Sequence, residues 1–180
     1  LVQLGGQGKE YARLFNELQE AEEEAALFKF GIEQSSASVF LTQVDGTITY
    51  VNPAFEKIYG YTAAEAIGQT PRILKSGVIP PAQYESFWSS LLAKQVVAGE
   101  IINKAKDGRL IPIDGSNNPI VTPEGELVGF LTIQSDISER KRTDAALAKQ
   151  AQDLQTVVEV STAVNAILDQ KVLLHAVTNL

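Results

Sequence analysis

The sequence has no cysteine, no methionine, one histidine and one tryptophan in 180 residues. Without cysteine there is no disulfide, no thiolate nucleophile, no Cys-ligated zinc or iron–sulfur cluster, and no covalent cysteinyl adduct. Without methionine there is no initiator, so the chain reads as a piece of something longer whose output domain lies elsewhere. The one histidine, His175, stands near the C-terminus, so no Ser/His/Asp triad can be assembled in the body of the chain. Basic charge is also scarce. Fifteen Lys and Arg face 22 Asp and Glu, giving a net charge of −7 and a pI near 4.8, the wrong balance for a nucleic-acid surface. No apolar run approaches the roughly 20 residues that span a bilayer, and no signal peptide is visible. Neither nucleic acid nor membrane is an expected partner, and the expected location is the cytoplasm. What is present, 44% hydrophobic and 21% charged residues, suits one globular core of roughly 100 to 130 residues with appended helices.

The organisation follows from periodicity and punctuation. Residues 1–8, with Gly5, Gly6 and Gly8, read as a flexible leader. Over residues 9–32 the apolar positions Tyr11, Leu14, Leu18, Ala21, Ala25, Phe28 and Ile32 recur at spacings of three and four, a heptad seam expected to form a homodimer helix. The run Glu22-Glu23-Glu24 reads as its solvated face. The globular domain spans 33–138. It opens with a hairpin, Val39 to Val51 around Asp45-Gly46. Asn52 is placed to cap a short helix starting at Pro53 and closed by Gly60. Thr62-Ala63-Ala64-Glu65 has the capping-box pattern for another. Pro80 and Pro81 start a longer helix to about Lys94, with the core stripe Tyr84, Phe87, Trp88, Leu91 and Leu92. Three strands follow, turning at Asp107-Gly108 and at Pro123-Glu124-Gly125. The last runs directly into a helix expected over 139–168. Residues 169–180 read as more helix or the entry to a following domain.

In the last strand, Val128, Phe130, Thr132 and Gln134 share one face, and Leu127, Leu131 and Ile133 the other. Both faces are largely apolar, so each expects a cover: the domain's own helices on one side, a flanking helix or second subunit on the other. Asp45-Gly46 and Asp107-Gly108 are explained by turn geometry alone and carry no acid/base role. Gly5-Gly6-Gln7-Gly8-Lys9 lacks the strand and spacing of a phosphate loop. No residue stands out as catalytic, and the fragment is expected to be non-catalytic.

The order of two strands, short helices, a longer helix, three strands and an exit helix combines with several motifs. These are Asn52-Pro53-Ala54-Phe55, Tyr59-Gly60-Tyr61, Glu65-Ala66-Ile67-Gly68, Lys106-Asp107-Gly108 and Asp136-Ile137-Ser138-Glu139-Arg140. Together they closely resemble a PAS domain with its C-terminal PAC segment. The resemblance implies an α+β fold, a five-stranded antiparallel sheet with short helices on one face, flanked by coiled-coil-type helices. It also implies a sensory and dimerisation module of a bacterial signalling protein, such as a sensor histidine kinase or a cyclic-di-GMP enzyme. Residues 167–180 look like the opening helix of a GAF domain.

Pro71 to Gly77, Trp88, Gly99 and Asn103 look like the flavin-binding redox-sensor branch. Asn103 and Gln134 match the amides that reach the isoalloxazine ring in the related light-sensing LOV branch. The pocket residues implied are Asn103, Gln134, Trp88, Ile113 and Arg72. Pro71 replaces the photochemical cysteine, Ile113 replaces a second strand asparagine, and Val97 replaces an aromatic of the FAD branch. Two readings of Asn103 and Gln134 therefore stand side by side: contacts to a flavin, or a buried amide pair bonded to each other, backbone or water. Haem lacks an axial histidine within the domain. His175 lacks the following Glu and Pro of a phosphoacceptor motif and reads as a structural histidine. The resemblance further implies a relay from Gln134 through Asp136, Ile137 and Ser138 into the exit helix. A ligand-free dimerising spacer is the rival, and its mark would be a core filled by Phe40, Phe55, Ile73, Phe87, Trp88 and Ile113.

Overall fold

The computed structural model describes the backbone of residues 2–178 and the side chains of residues 8–80 and 82–164. It contains the helix α1 (Val2–Gln34), strands β1 (Ser38–Thr42) and β2 (Ile48–Val51), and helices α2 (Pro53–Tyr59) and α3 (Ala63–Ala66). A 3-10 turn (Pro71–Leu74) and helix α4 (Pro81–Leu92) follow, then β3 (Val97–Lys104), β4 (Leu110–Val121), β5 (Leu127–Asp136) and α5 (Ser138–Thr178). The strands form one five-stranded antiparallel sheet in the order β2-β1-β5-β4-β3. The chain divides into two compact units, residues 1–137 and 138–180.

Local chemistry explains the short helices. Asn52 caps α2 by accepting from the Phe55 N–H, Pro53 supplies the first-turn φ, and Gly60 ends the helix at φ 75°, a conformation that costs least without a Cβ. At α3 the Glu65 carboxylate accepts from the Thr62 N–H at 3.0 Å, the return half of the capping box. The core beneath α2 and α3 is dense. Phe40, Phe55 and Tyr59 pack edge to face and tilted, with ring centroids 5.6 and 5.1 Å apart. Ile48, Val51, Leu74, Ile111 and Ile113 close around them.

Several expectations change. Helix α1 starts at Val2 rather than Lys9, so the glycines of the expected leader lie within helical backbone. Helix α5 runs on from the expected 139–168 through Thr178, the first of the two readings given for residues 169–180. Helix α4 ends at Leu92 rather than about Lys94; Leu91 is buried, whereas Leu92 is exposed and drops out of the core stripe. The two faces of β5 also differ. Phe130, Thr132 and Gln134 are buried, while Ile133 on the other face and Val128 at the strand's start stay exposed. The last turns of α1 border that outer face, where Leu27, Phe28, Gly31 and Ile32 line a groove of about 450 Å³ with Val39 and Ile133. The heptad positions Tyr11, Leu14, Leu18 and Phe28 are exposed on a single chain.

Candidate functional site

The inner face of the sheet is covered unevenly. Helices α2 and α3 fill one part, whereas between α4, the 3-10 turn and strands β3 to β5 a cavity of about 800 Å³ remains. That volume lies within the range of small-molecule sites, whose walls are mostly apolar with a few placed polar groups. The walls fit that description. Phe87, Trp88 and Phe130 supply aromatic surface, with Trp88 edge-on to both other rings at 5.6 and 6.0 Å. Trp88 also covers the first hairpin turn: a Cβ on Gly46 would sit 3.1 Å from its ring.

The polar groups come from the strands because alternate residues of β3, β4 and β5 face the cavity. Asn103 pairs with Ile111, and Gly99, Gly115, Gln134 and Ser38 lie opposite one another across four strands. Both central glycines bear on shape. A Cβ on Gly115 would lie 2.8 Å from Gln134 Cγ and 2.8 Å from the Ile133 carbonyl oxygen, so only glycine lets Gln134 lie flat against the sheet. Gly99, at φ 149°, leaves the adjacent floor bare.

Asn103 and Gln134 are both buried, and a third residue joins them. The Tyr59 hydroxyl donates to Gln134 Oε1 at 2.5 Å and accepts from Asn103 Nδ2 at 2.9 Å; Asn103 Nδ2 lies 3.4 Å from Gln134 Oε1. Burial pushes the Tyr59 phenol well above its ordinary range, the Asn103 hydrogen bond opposes this, and the charge of Asp136 adds to it. The phenol therefore keeps its proton at neutral pH. Elsewhere on the cavity wall a second polar pair is satisfied within the protein: Thr132 Oγ1 donates to Asn117 Oδ1 at 2.8 Å, and Asn117 Nδ2 to the Val97 carbonyl at 3.4 Å.

Of the pocket residues expected from sequence, Asn103, Gln134, Trp88 and Arg72 line the cavity. Ile113 does not: it is fully buried in the packed core beside Ile111, on the filled side of the sheet. In the sequence Tyr59 ends a short helix and belongs to the Tyr59-Gly60-Tyr61 motif, with no pocket role attached to it. Its partners lie 44 and 75 residues away, and no local pattern reports such a contact. Of the relay residues, Gln134 is buried, Asp136 ends β5 exposed, and the Ile137 N–H donates to the Pro112 carbonyl at 3.0 Å, anchoring the strand end. Ser138 is the first residue of α5. His175 lies outside the residues whose side chains are described. Among the described residues no group of His, Cys, Asp or Glu could hold a metal ion, and no helix is long and apolar enough to cross a membrane.

Known proteins resemble this chain in sequence and in fold. The chain is 34% identical over 145 residues to a nitrogen fixation regulatory protein of Klebsiella pneumoniae, covering 81% of this chain and 29% of that protein. It is 30% identical over 153 residues to a blue-light-activated histidine kinase of Brucella anthropi, covering 77% and 31%. The chain thus spans less than a third of the length of these relatives. Among solved structures, the PAS domain of a Colwellia psychrerythraea protein superposes with a TM-score of 0.56 at 26% identity, over 64% of this chain and 98% of that one. An RNA-binding light-oxygen-voltage receptor, at 24% identity and a TM-score of 0.62 over 71% and 36%, shares the fold. The PAS domain family model matches residues 36–139, from the connection before β1 to the first turn of α5, and the chain belongs to the PAS domain family.

Proposed function

We propose that this PAS sensory domain reads a small molecule in the cavity beneath α4. It passes the result along β5 to α5 within a bacterial signal-transduction protein, a sensor histidine kinase being the leading parent. The open cavity floored by Asn103 and Gln134 carries this reading. A ligand-free spacer would need Phe40, Phe87 and Trp88 to close the space, yet all three line a cavity of about 800 Å³. The relay has a short path: Gln134 is two residues from Asp136, and Ile137 and Ser138 join the strand to the exit helix. Altered hydrogen bonding at Gln134 would bias that joint between two states. Dimerisation belongs to the same reading. The heptad positions of α1 are exposed, and a second copy would bury them.

A flavin is the ligand that the floor favours. Amide donors and acceptors suit flavin carbonyls and ring nitrogens, and the bare floor at Gly99 leaves room for a flat ring. Asn103 and Gln134 would hold the ring, with Trp88 and Arg72 among the remaining walls. Pro71 stands in the cavity wall where a cysteine would be needed for an adduct, so a redox role fits better than adduct photochemistry. The two curated relatives, a nitrogen fixation regulator and a blue-light-activated kinase, are compatible with such a sensor. The test is the absorption spectrum of the purified chain, then of the chain refolded with FAD and FMN. The near-ultraviolet and blue bands of bound oxidised flavin are expected. A featureless spectrum after reconstitution would refute the flavin and leave a colourless metabolite as the ligand.

A further inference from the structure

Tyr59 is not a wall of the cavity; it stands behind the two amides that are. A phenol has one proton to give, so when its hydroxyl donates to one amide oxygen the other amide can meet it only as an N–H donor. Two arrangements meet that condition. In one, Tyr59 donates to Gln134 and accepts from Asn103; in the other, both amides are turned over. The distances choose between them. The Tyr59–Gln134 separation of 2.5 Å suits O–H···O and is too short for N–H···O, while the Tyr59–Asn103 separation of 2.9 Å is ordinary for N–H···O.

The atoms turned toward Tyr59 are thus Gln134 Oε1 and Asn103 Nδ2, and those left over are Gln134 Nε2 and Asn103 Oδ1. Neither has a hydrogen-bond partner among the described residues. Neither is among the sealed, unpartnered side-chain atoms, which are Ser38 Oγ and Tyr50 Oη. They are therefore the groups open to a ligand.

We propose that Tyr59 is a positioning residue that sets the polarity of the cavity floor, a donor at Gln134 beside an acceptor at Asn103, and so selects a ring carrying an adjacent carbonyl and N–H. The ligand's carbonyl faces Gln134 Nε2 and its N–H faces Asn103 Oδ1, the edge of a cyclic imide or lactam. Turning one amide alone leaves either the phenol proton without an acceptor or two amide oxygens competing for it, so a ligand of reversed polarity is accommodated at least cost by turning both. The choice of flavin as probe rests on the function proposed above; the polarity does not.

Lumiflavin and N3-methyllumiflavin, which lacks the ring N–H, provide the comparison, with quenching of the single Trp88 as the binding signal for the 180-residue chain. The native chain should prefer lumiflavin by about tenfold or more, the effect of leaving one buried hydrogen-bonding group unmatched. In Tyr59→Phe each amide turns independently, and the preference should fall below about threefold. A second measurement needs no ligand. Nuclear Overhauser contacts from the Tyr59 ring should reach the side-chain amide protons of Asn103 and not those of Gln134. Contacts to the Gln134 amide protons, or an unchanged preference in Tyr59→Phe, would overturn the proposal. Failure of both flavins to bind, with the Asn103 contacts present, supports the floor polarity and refutes flavin alone.

Discussion

Replacing Asn52 tests the packing argument at its most connected point. This side chain is 1% exposed and makes four hydrogen bonds. Its Oδ1 accepts from the Val39 N–H at 2.9 Å and the Phe55 N–H at 3.0 Å. Its Nδ2 donates to the Ile32 carbonyl at 3.0 Å and the Ala37 carbonyl at 2.9 Å. One residue thereby ties the end of α1, the start of β1 and the first turn of α2. Asn52→Ala removes a helix cap, about 0.5 to 2 kcal/mol, and leaves the buried Val39 N–H without its partner, about 1 to 3 kcal/mol more. The expected loss is about 3 to 5 kcal/mol once the two carbonyls are included.

Asn52→Asp separates the two halves of the site. Its carboxylate still accepts both N–H bonds and gains from the positive end of α2, about 0.3 to 1 kcal/mol. It also sets a charged oxygen against two carbonyl oxygens, the larger effect. Proton binding relieves that repulsion, so the folded-state pKa rises above the unfolded value of about 3.9. An acid with a raised folded pKa contributes stability that is present below the unfolded value and lost as pH climbs through the folded one. Urea denaturation of native and variant chains from acid to neutral pH measures this as a difference. The Asp variant should approach the native chain at low pH and fall toward the Ala variant near neutrality. A variant within about 0.5 kcal/mol of native at neutral pH, where harmless surface changes fall, would refute the reasoning. So would a deficit that grows on acidification.

Gly115→Ala should cost about 1 to 3 kcal/mol as overpacking, read as a lowered urea midpoint, because the new Cβ meets the Ile133 carbonyl and displaces Gln134. Leu18→Glu places a charge in the exposed heptad seam of α1 and should shift the chain from dimer to monomer in sedimentation equilibrium, with the domain's melting temperature little changed. Gln134→Leu keeps the fold but removes the amide that Tyr59 and Asn103 meet; signal-dependent output of the parent protein should become constitutive or silent, and unchanged regulation would sink the relay.

Much of this molecule is local chemistry and was legible in the residues. Asn52-Pro53 and Gly60 bracket α2 because capping, a preset φ and a left-handed turn are properties of those side chains. The strands of the late sheet, their Asp-Gly turn and the alternation that puts Gln134 on a buried face follow from a period of two. The leader was misread because three glycines lower helix propensity without forbidding helical backbone. Ile113 was misplaced because alternation assigns a face but not a position along it: the same inner face is packed beneath α2 and hollow beneath α4.

The residues alone therefore determined the element order, the strand faces and the two amides worth watching. They also determined what is missing, since no fold can supply a cysteine or a second histidine. Tertiary structure alone decided that a cavity remains, that Gly115 makes room for Gln134, and that Tyr59 stands behind both amides. The Tyr59, Asn103 and Gln134 cluster depends on side chains brought together from 31 to 75 residues apart. Only the register of the strands and the packing of α2 against them establish that proximity.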